Sequence, residues 1–456
     1  MQAGGTAEAA ARLAPSLVTE VPGPKALAHV AFDHAWTSPS LPRAYPIVPV
    51  RGSGAAVEDI DGNVFLDFAA GIAVNSTGHA HPRVVAAIAR QAAELIHFSA
   101  SDFYLPIYAK AAAEMARIAP ISGPTRVFFG NSGAEAVEAA IKLARHHTGR
   151  QNLLAFVGAF HGRTYGAVSL TASKAKYHAG FEPLLPGVHH VPFGSAGLDE
   201  LEERVFKRLA PAASFAAVVV EPIQGEGGYV VPDAAFLPRL RRICDEHGIL
   251  LVADEVQSGA GRTGRMWAIQ HWDAEPDILL AAKGIASGMP VSAVVAKAEL
   301  MSWGAGTHGS TYGGNRVALA ALLESIGLLE DGLVANAAVR GEEAILGLRP
   351  LVDRYPGMVR DVRGKGLMIG VQFASGELAE AVQLAAFRRG LLVLEAGDDV
   401  VRMSPPLIVS EAEVATAVAI FESAVEEVAS HRHEAVAAVH EAAAAGLLDE
   451  EVESAI

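Results

Sequence analysis

A single cysteine, Cys244, stands in 456 residues, so no intrachain disulfide can form. It lies in RRICDEHGILLV, an amphipathic helix leading into a strand, where a small buried packing residue is the simplest reading. No stretch reaches the roughly 18 consecutive apolar residues that a membrane-spanning helix needs. The opening segment, MQAGGTAEAAARLAPSLVTE, has no apolar core behind a basic end. Its only basic residue is Arg12, and Glu8 and Glu20 argue against an organellar leader. Basic charge is short throughout: 36 Lys and Arg face 51 Asp and Glu, a net charge of -15. With no basic block to offset it, such a chain repels nucleic acid on average. Neither nucleic acid nor membrane is expected as a partner, no metal site is expected, and cytoplasm is the expected compartment.

Hydrophobic residues make up 51% of the chain and charged residues 19%, enough to bury a large core. The length suits two or three packed units. Short apolar runs alternate with helical patterns: TRVFF (125–129), NLLAFV (152–157), AAVVVE (216–221), GILLVADE (248–255), DILLAA (277–282) and VSAVVA (291–296). Several are apolar on successive residues, which marks strands buried on both faces of a largely parallel sheet. Helical segments such as AEAVEAAIKLARHHTG and AAFLPRLRRICDEHG lie between them. The alternation predicts an α/β domain, with ligands beyond the carboxyl ends of the strands.

The pattern changes after about residue 330. EEAILGLRPLVDRY and ELAEAVQLAAFRRG read as helices, and DVRGKGLMIGVQFA as a strand pair. Residues 45–68 have strand-and-turn chemistry, with Asp61-Gly62 as a hairpin turn. The expected organisation is a flexible tail over 1–20, a segment over 21–70 that packs with the small unit, and a large domain over 71–330. A small α+β domain over 331–430 and a helical tail over 431–456 complete it.

Four segments carry candidate chemistry. In FFGNSGAEAVEAAIK a strand runs into Gly130-Asn131-Ser132-Gly133-Ala134 and a helix begins at once. The free N–H groups of a helix start form an anion site; an ordinary cap by Asn131 or Ser132 is the plain alternative. In GILLVADEVQSGAGRTG, Asp254 and Glu255 end an apolar strand, where a carboxylate is costly unless it meets a partner. Gly259, Gly261 and Gly264 match a dinucleotide spacing, but no clear helix follows, so that match is set aside. Lys283 closes the apolar run DILLAAK, where desolvation lowers an amine's pKa and makes it a usable nucleophile. In AFHGRTYGAVSLT, Phe160 and His161 offer a pocket wall and Arg163 a carboxylate clamp; each is also an ordinary core or surface residue type.

Together these segments resemble the class III aminotransferases of the fold type I pyridoxal-phosphate superfamily. The resemblance runs from about Pro22 to Phe421. It rests on GHAHP (78–82), NSGAEAVEAAIKLAR (131–145), AFHGRTYGA (159–167), EPIQGEGG (221–228), DEVQSGAGRTG (254–264), AK (282–283), HGSTYGGN (308–315) and VRGKGLM (362–368). The groups named by this likeness are the 4-aminobutyrate and acetylornithine transaminases. PGPKA near the start and AFVGAFHGRTYGAVSLTASK also resemble archaeal relatives, some of which racemise amino acids.

The resemblance implies a mainly parallel seven-stranded sheet covered by helices, with a smaller α+β domain built from both chain ends. It implies that Lys283 carries the cofactor, pyridoxal 5'-phosphate, and shuttles the proton. Asp254 would keep the pyridine nitrogen protonated, Gln257 would bond the ring's phenolic oxygen, and Phe160 would stack on the ring. Ser132, Gly133 and Ala134 would hold the phosphate through backbone N–H groups, with His161 and Glu221 also at the cofactor. Ala134 has no hydroxyl, where many relatives have Ser or Thr. Thr311 would reach the phosphate of a neighbouring subunit, which requires a homodimer. Arg402 would grip an α-carboxylate and Arg163 a distal one, with Ile72 also at the substrate. Glu226 would neutralise Arg402 when no carboxylate is there; a purely structural ion pair is its plain alternative. The expected reaction moves an amino group from 4-aminobutyrate or a similar ω-amino acid to 2-oxoglutarate in two half-reactions. The alternatives are a racemase on the same scaffold, or an acetylornithine-, ornithine- or lysine-type transaminase.

Overall fold

Residues alternate faces along a strand, and in this chain both faces find a helical partner. Leu153, Ala155, Val219, Val252 and Leu280 pack in one cluster with Ala136, Ala140 and Leu143 of helix Gly133–Thr148. Leu154, Val218, Leu251 and Leu279 point the other way and join Leu237, Leu240 and Ile243 of helix Phe236–His247. That two-sided burial is why the runs are apolar on successive residues. The computed structural model describes residues 14–447.

The large sheet has seven strands in the order Thr125–Gly130, Ser292–Lys297, Ile278–Ala281, Leu250–Asp254, Phe215–Val220, Asn152–Phe156 and Val188–Val191. Ser292–Lys297 runs antiparallel to both its neighbours, and the remaining pairs are parallel. Six of the carboxyl ends therefore open on one edge, at Gly130, Phe156, Val191, Val220, Asp254 and Ala281. All six expected runs are strands of this sheet. Val188–Val191 was not among them, because VHHV carries two histidines and no apolar run.

Two smaller sheets use the rest of the chain. Val359–Lys365, Met368–Phe373, Val400–Met403 and Leu394–Ala396 form an antiparallel sheet with Leu394–Ala396 at its edge. Pro49–Ser53, Ala56–Asp59 and Val64–Asp67 form a second, and Leu391–Leu392 adds to it in parallel with Val64–Asp67. Segments from the two chain ends thus share one sheet, giving the smaller α+β unit. Gly62, at φ +90°, makes the hairpin turn before Val64, as Asp61-Gly62 suggested.

Helix limits follow local chemistry. Ser132 Oγ accepts from Glu135 N at 3.2 Å and Glu135 returns a bond to Ser132 N, a reciprocal cap; Gly149 in the left-handed region ends the helix. The helix expected over EEAILGLRPLVDRY divides into Val334–Leu348 and Pro350–Arg354, with Pro350 at a first-turn position. The expected flexible tail over 1–20 is held at its end: Ser16 pairs with Val64, and Val18 N and Thr19 N donate to Asn63 Oδ1 at 2.8 and 3.0 Å. Residues 1–13 of that tail, and 448–456 of the expected helical tail, lie outside the described residues. Arg432–Ala444 is helical. No helix of the described residues is long and apolar enough to cross a membrane.

Candidate active site

The carboxyl ends of the large sheet surround a cavity of about 710 Å³. Lys283, Asp254, Gln257, Ser132, Gly133, Ala134, Phe160, His161, Glu221, Ile72, Arg163, Glu226 and Arg402 all line it. Thr311 does not: it is exposed in the loop before helix Arg316–Leu328.

Lys283 follows strand Ile278–Ala281 with φ +47°, in the left-handed region that non-glycine residues rarely adopt. Such strain persists only where the surroundings hold it, and here it sets an amine into the cavity. Burial lowers the Lys283 pKa; Arg402 lowers it further, and Glu226 opposes both. Lowering moves the amine toward its neutral, nucleophilic form.

Asp254 ends the central strand and is 3% exposed. Its Oδ2 lies 2.7 Å from His161 Nδ1, and Oδ1 accepts from Val256 N at 3.1 Å. Burial would lower the His161 pKa, but the hydrogen bond and charge of Asp254 prevail and raise it. The bond between His161 and Asp254 was not foreseen, since 93 residues separate them. Glu221 Oε1 and Oε2 accept from Phe160 N and Gly225 N, both at 2.8 Å, so one carboxyl ties two cavity loops together. Burial pushes it up to about 7. The neighbouring Glu255 does not line the cavity; it accepts from Ser258 Oγ at 2.6 Å and Ile269 N at 2.7 Å.

At the helix start the cap is present. Ser132 is the cap, and its own N–H donates to Glu135 Oε2 at 3.2 Å. The N–H groups of Gly133 and Ala134 are first-turn donors with no capping acceptor. Gly162, at φ +131°, passes so close that a Cβ there would meet Ala134 Cβ at 2.7 Å. That approach suits the small side chain at 134.

The substrate groups form a second cluster. Arg402, 5% exposed, donates through Nη1 to Glu226 Oε1, and Gln257 Nε2 reaches the same oxygen at 3.5 Å. Burial would raise the Glu226 pKa, yet Arg402 and Lys283 hold it down. Arg163 is exposed, with its guanidinium 4.8 Å from the Tyr177 ring and 5.8 Å from that of Phe160. Tyr177 was missed in the sequence, lying in a short turn with no apolar run beside it. Ile72 sits at φ +66° within Ala70–Ala73, outside the ordinary range for a β-branched residue. Asp67 steadies this turn by accepting from Ala69 N and Ala70 N at 2.8 and 2.9 Å, and His79 Nε2 holds Asp67 at 2.7 Å.

Three sequence features stay outside the chemistry. Gly259, Gly261 and Gly264 pack against Trp267, Leu407 and Ala338 and do not line the cavity. Cys244 is fully buried, and burial pushes its thiol up to about 12. Among the described residues no group of three or more His, Cys, Asp or Glu side chains is placed to hold a metal ion.

The arrangement fits a phosphorylated pyridine aldehyde. An amine of lowered pKa, a buried carboxylate for a ring nitrogen, an aromatic wall and two free N–H donors converge on one cavity. Gln257 Oε1 is buried there without a partner, which leaves polar capacity for a bound group.

Comparison with known proteins gives the same answer. The family model "Aminotransferase class-III" matches residues 39–425. An acetylornithine aminotransferase of Methanopyrus kandleri is 44% identical over 377 residues, 82% of this chain and 93% of that protein. An alanine/serine racemase of Pyrococcus horikoshii is 36% identical over 442 residues, 91% of this chain and 93% of that one. The crystal structure of ornithine aminotransferase from Toxoplasma gondii superposes with a TM-score of 0.83 at 32% identity, covering 89% of this chain and 96% of the other. The chain belongs to the class III aminotransferases, enzymes that work with pyridoxal 5'-phosphate.

Proposed function

We propose that this enzyme takes the ω-amino group of a diamino acid of the ornithine class, free or N-acetylated, and delivers it to 2-oxoglutarate. The carrying observation is the buried Glu226–Arg402 ion pair inside the cavity of Lys283. One pocket must serve a keto acid with an α-carboxylate and a donor whose reacting end has none. An unpaired buried guanidinium is strongly unfavourable, so Glu226 occupies Arg402 for the donor and yields it to the acceptor. The relatives named for acetylornithine and ornithine favour this donor over the 4-aminobutyrate expected from the sequence.

When bound, pyridoxal phosphate supplies an aldehyde that holds the amine and a ring that accepts the electron pair of the broken C–H bond. Lys283 anchors the cofactor and then takes and returns the proton. Asp254 keeps a proton on the ring nitrogen, and His161 fixes Asp254 in place. Phe160 would cover the ring, Gln257 would meet its oxygen, and Ser132, Gly133 and Ala134 would hold the phosphate. Glu221 holds the loops at Phe160 and Gly225. Arg163 takes the distal carboxylate and Ile72 contacts the substrate chain. Thr311 completes the phosphate site of a second copy in a homodimer, consistent with its exposure outside its own cavity.

The test is a donor panel. Purified holoenzyme given 2-oxoglutarate and either L-ornithine or N-acetyl-L-ornithine is expected to form glutamate; no glutamate from either donor sinks the proposal. A racemase is the second reading, favoured by a racemase relative that aligns over more of this chain than the acetylornithine enzyme does. Loss of optical rotation from one L-amino acid with no keto acid present would decide for it.

A further inference from the structure

The cavity carries two further carboxyls, and Lys174 lines it as well. Glu395, on the edge strand Leu394–Ala396, lines it together with Glu380 and Gln383 of helix Gly376–Phe387. Glu380 and Gln383 are three residues apart and so share one helix face. Gln383 is only 4% exposed, and its Oε1 is buried without a hydrogen-bond partner. Glu395 Oε1 is in the same condition. Buried acceptors are normally satisfied, so two of them in one wall leave a demand for donors.

The charges around Glu395 are of both signs. Burial and then Glu380 push its carboxyl up to about 7, while Lys174, Arg402 and Lys176 pull it down without prevailing. Burial also raises the Glu380 pKa. Arg43, another lining residue, is paired with Asp33 at 2.9 Å. Glu395 lies beside the substrate cluster: its strand pairs with Val400–Met403, Leu394 opposite Arg402, and the charge of Arg402 acts on it.

We propose that Glu395, with Gln383 and Glu380, selects donors that carry a second, free ammonium group. Glu395 pairs with the cation, and the amide and second carboxyl oxygens accept its remaining N–H groups. An acylated nitrogen offers one N–H and no charge, and an ω-amino acid without a second amine offers nothing. The inference rests on the transaminase reading of the cavity and narrows its donor to the unacylated form.

Wild-type holoenzyme and Glu395→Gln are compared with L-ornithine, N-acetyl-L-ornithine and 4-aminobutyrate at fixed 2-oxoglutarate. The expected result is a KM for L-ornithine raised on the order of tenfold in the variant, with kcat and the other two donors within about twofold. Glu395→Asp is expected to keep part of the preference. A second readout needs no turnover: the rise in holoenzyme melting temperature on adding L-ornithine without keto acid shrinks in Glu395→Gln, while the rise with 4-aminobutyrate does not. An unchanged ornithine KM and melting shift, or equal changes for ornithine and 4-aminobutyrate, overturn the proposal. If no donor yields glutamate, the substrate reading fails by itself, and the melting shift still decides the role of Glu395.

Discussion

His161 Nδ1 lies 2.7 Å from Asp254 Oδ2, and both side chains are buried. The imidazole donates one bond to the carboxylate that faces the cavity, so His161 positions Asp254. His161→Phe keeps the bulk and removes the bond. A hydrogen bond to a charged group is worth about 1.5–3 kcal/mol, so kcat should fall roughly tenfold to a hundredfold. Cofactor content should stay near that of the wild type, while the pH titration of its visible absorbance should move. A kcat within twofold and an unmoved titration would show that Asp254 needs no support.

Lys283 is the single amine expected to bond the cofactor. Borohydride reduction of wild-type holoenzyme should fix the cofactor to the peptide containing Lys283, read by mass spectrometry. Lys283→Ala should fold, lose that adduct, and lose activity by about a thousandfold or more. An adduct on another lysine would displace Lys283 from its assigned role.

Glu226→Ala should divide the two half-reactions. With its partner gone, Arg402 stays charged and buried when the donor is bound, which should lower kcat/KM for the ω-amino donor roughly tenfold to a hundredfold. The half-reaction with 2-oxoglutarate, which supplies its own carboxylate to Arg402, should hold or improve. Equal losses in both would mark Glu226 as a structural ion-pair partner.

Glu255 offers a pH test apart from catalysis. It is 1% exposed, and burial pushes its carboxyl from 4.5 up to about 7. A carboxyl raised in the folded state contributes stability that is full below its unfolded pKa and lost as pH rises through the folded one. The window is therefore about pH 4.5 to 7, and the contribution is at most on the order of 3 kcal/mol. Glu255→Gln should raise the melting temperature relative to wild type more at about pH 8 than at about pH 5. A difference that does not change with pH would mean Glu255 remains charged in the fold.

Much of the large sheet was legible because burial on both faces writes itself as consecutive apolar residues, as in Phe215–Val220. Lys283 and Asp254 stood out as charges at the ends of such runs. The strand Val188–Val191 was hidden because its histidines break that signal. The acidic wall was hidden for another reason. Glu380 and Gln383 look like the solvent face of an ordinary helix, and only the return of Leu394–Ala396 along the sheet edge turns that face inward. Donor choice was the least legible part, because the two arginines and Glu226 describe how a carboxylate is handled and do not separate 4-aminobutyrate from the acetylornithine- or ornithine-type alternative that the named relatives favour.

The parallel pairing of Leu391–Leu392 with Leu66–Asp67 sets an order on synthesis. The hairpin Ala56–Asp67 leaves the ribosome early, yet its outer edge has no strand to meet until more than three hundred further residues have been added. Closing so long a loop is slow, and an open edge in the interval invites wrong pairing. Beyond the early contact of Ser16 with Val64, the nascent hairpin thus stands to gain from a chaperone.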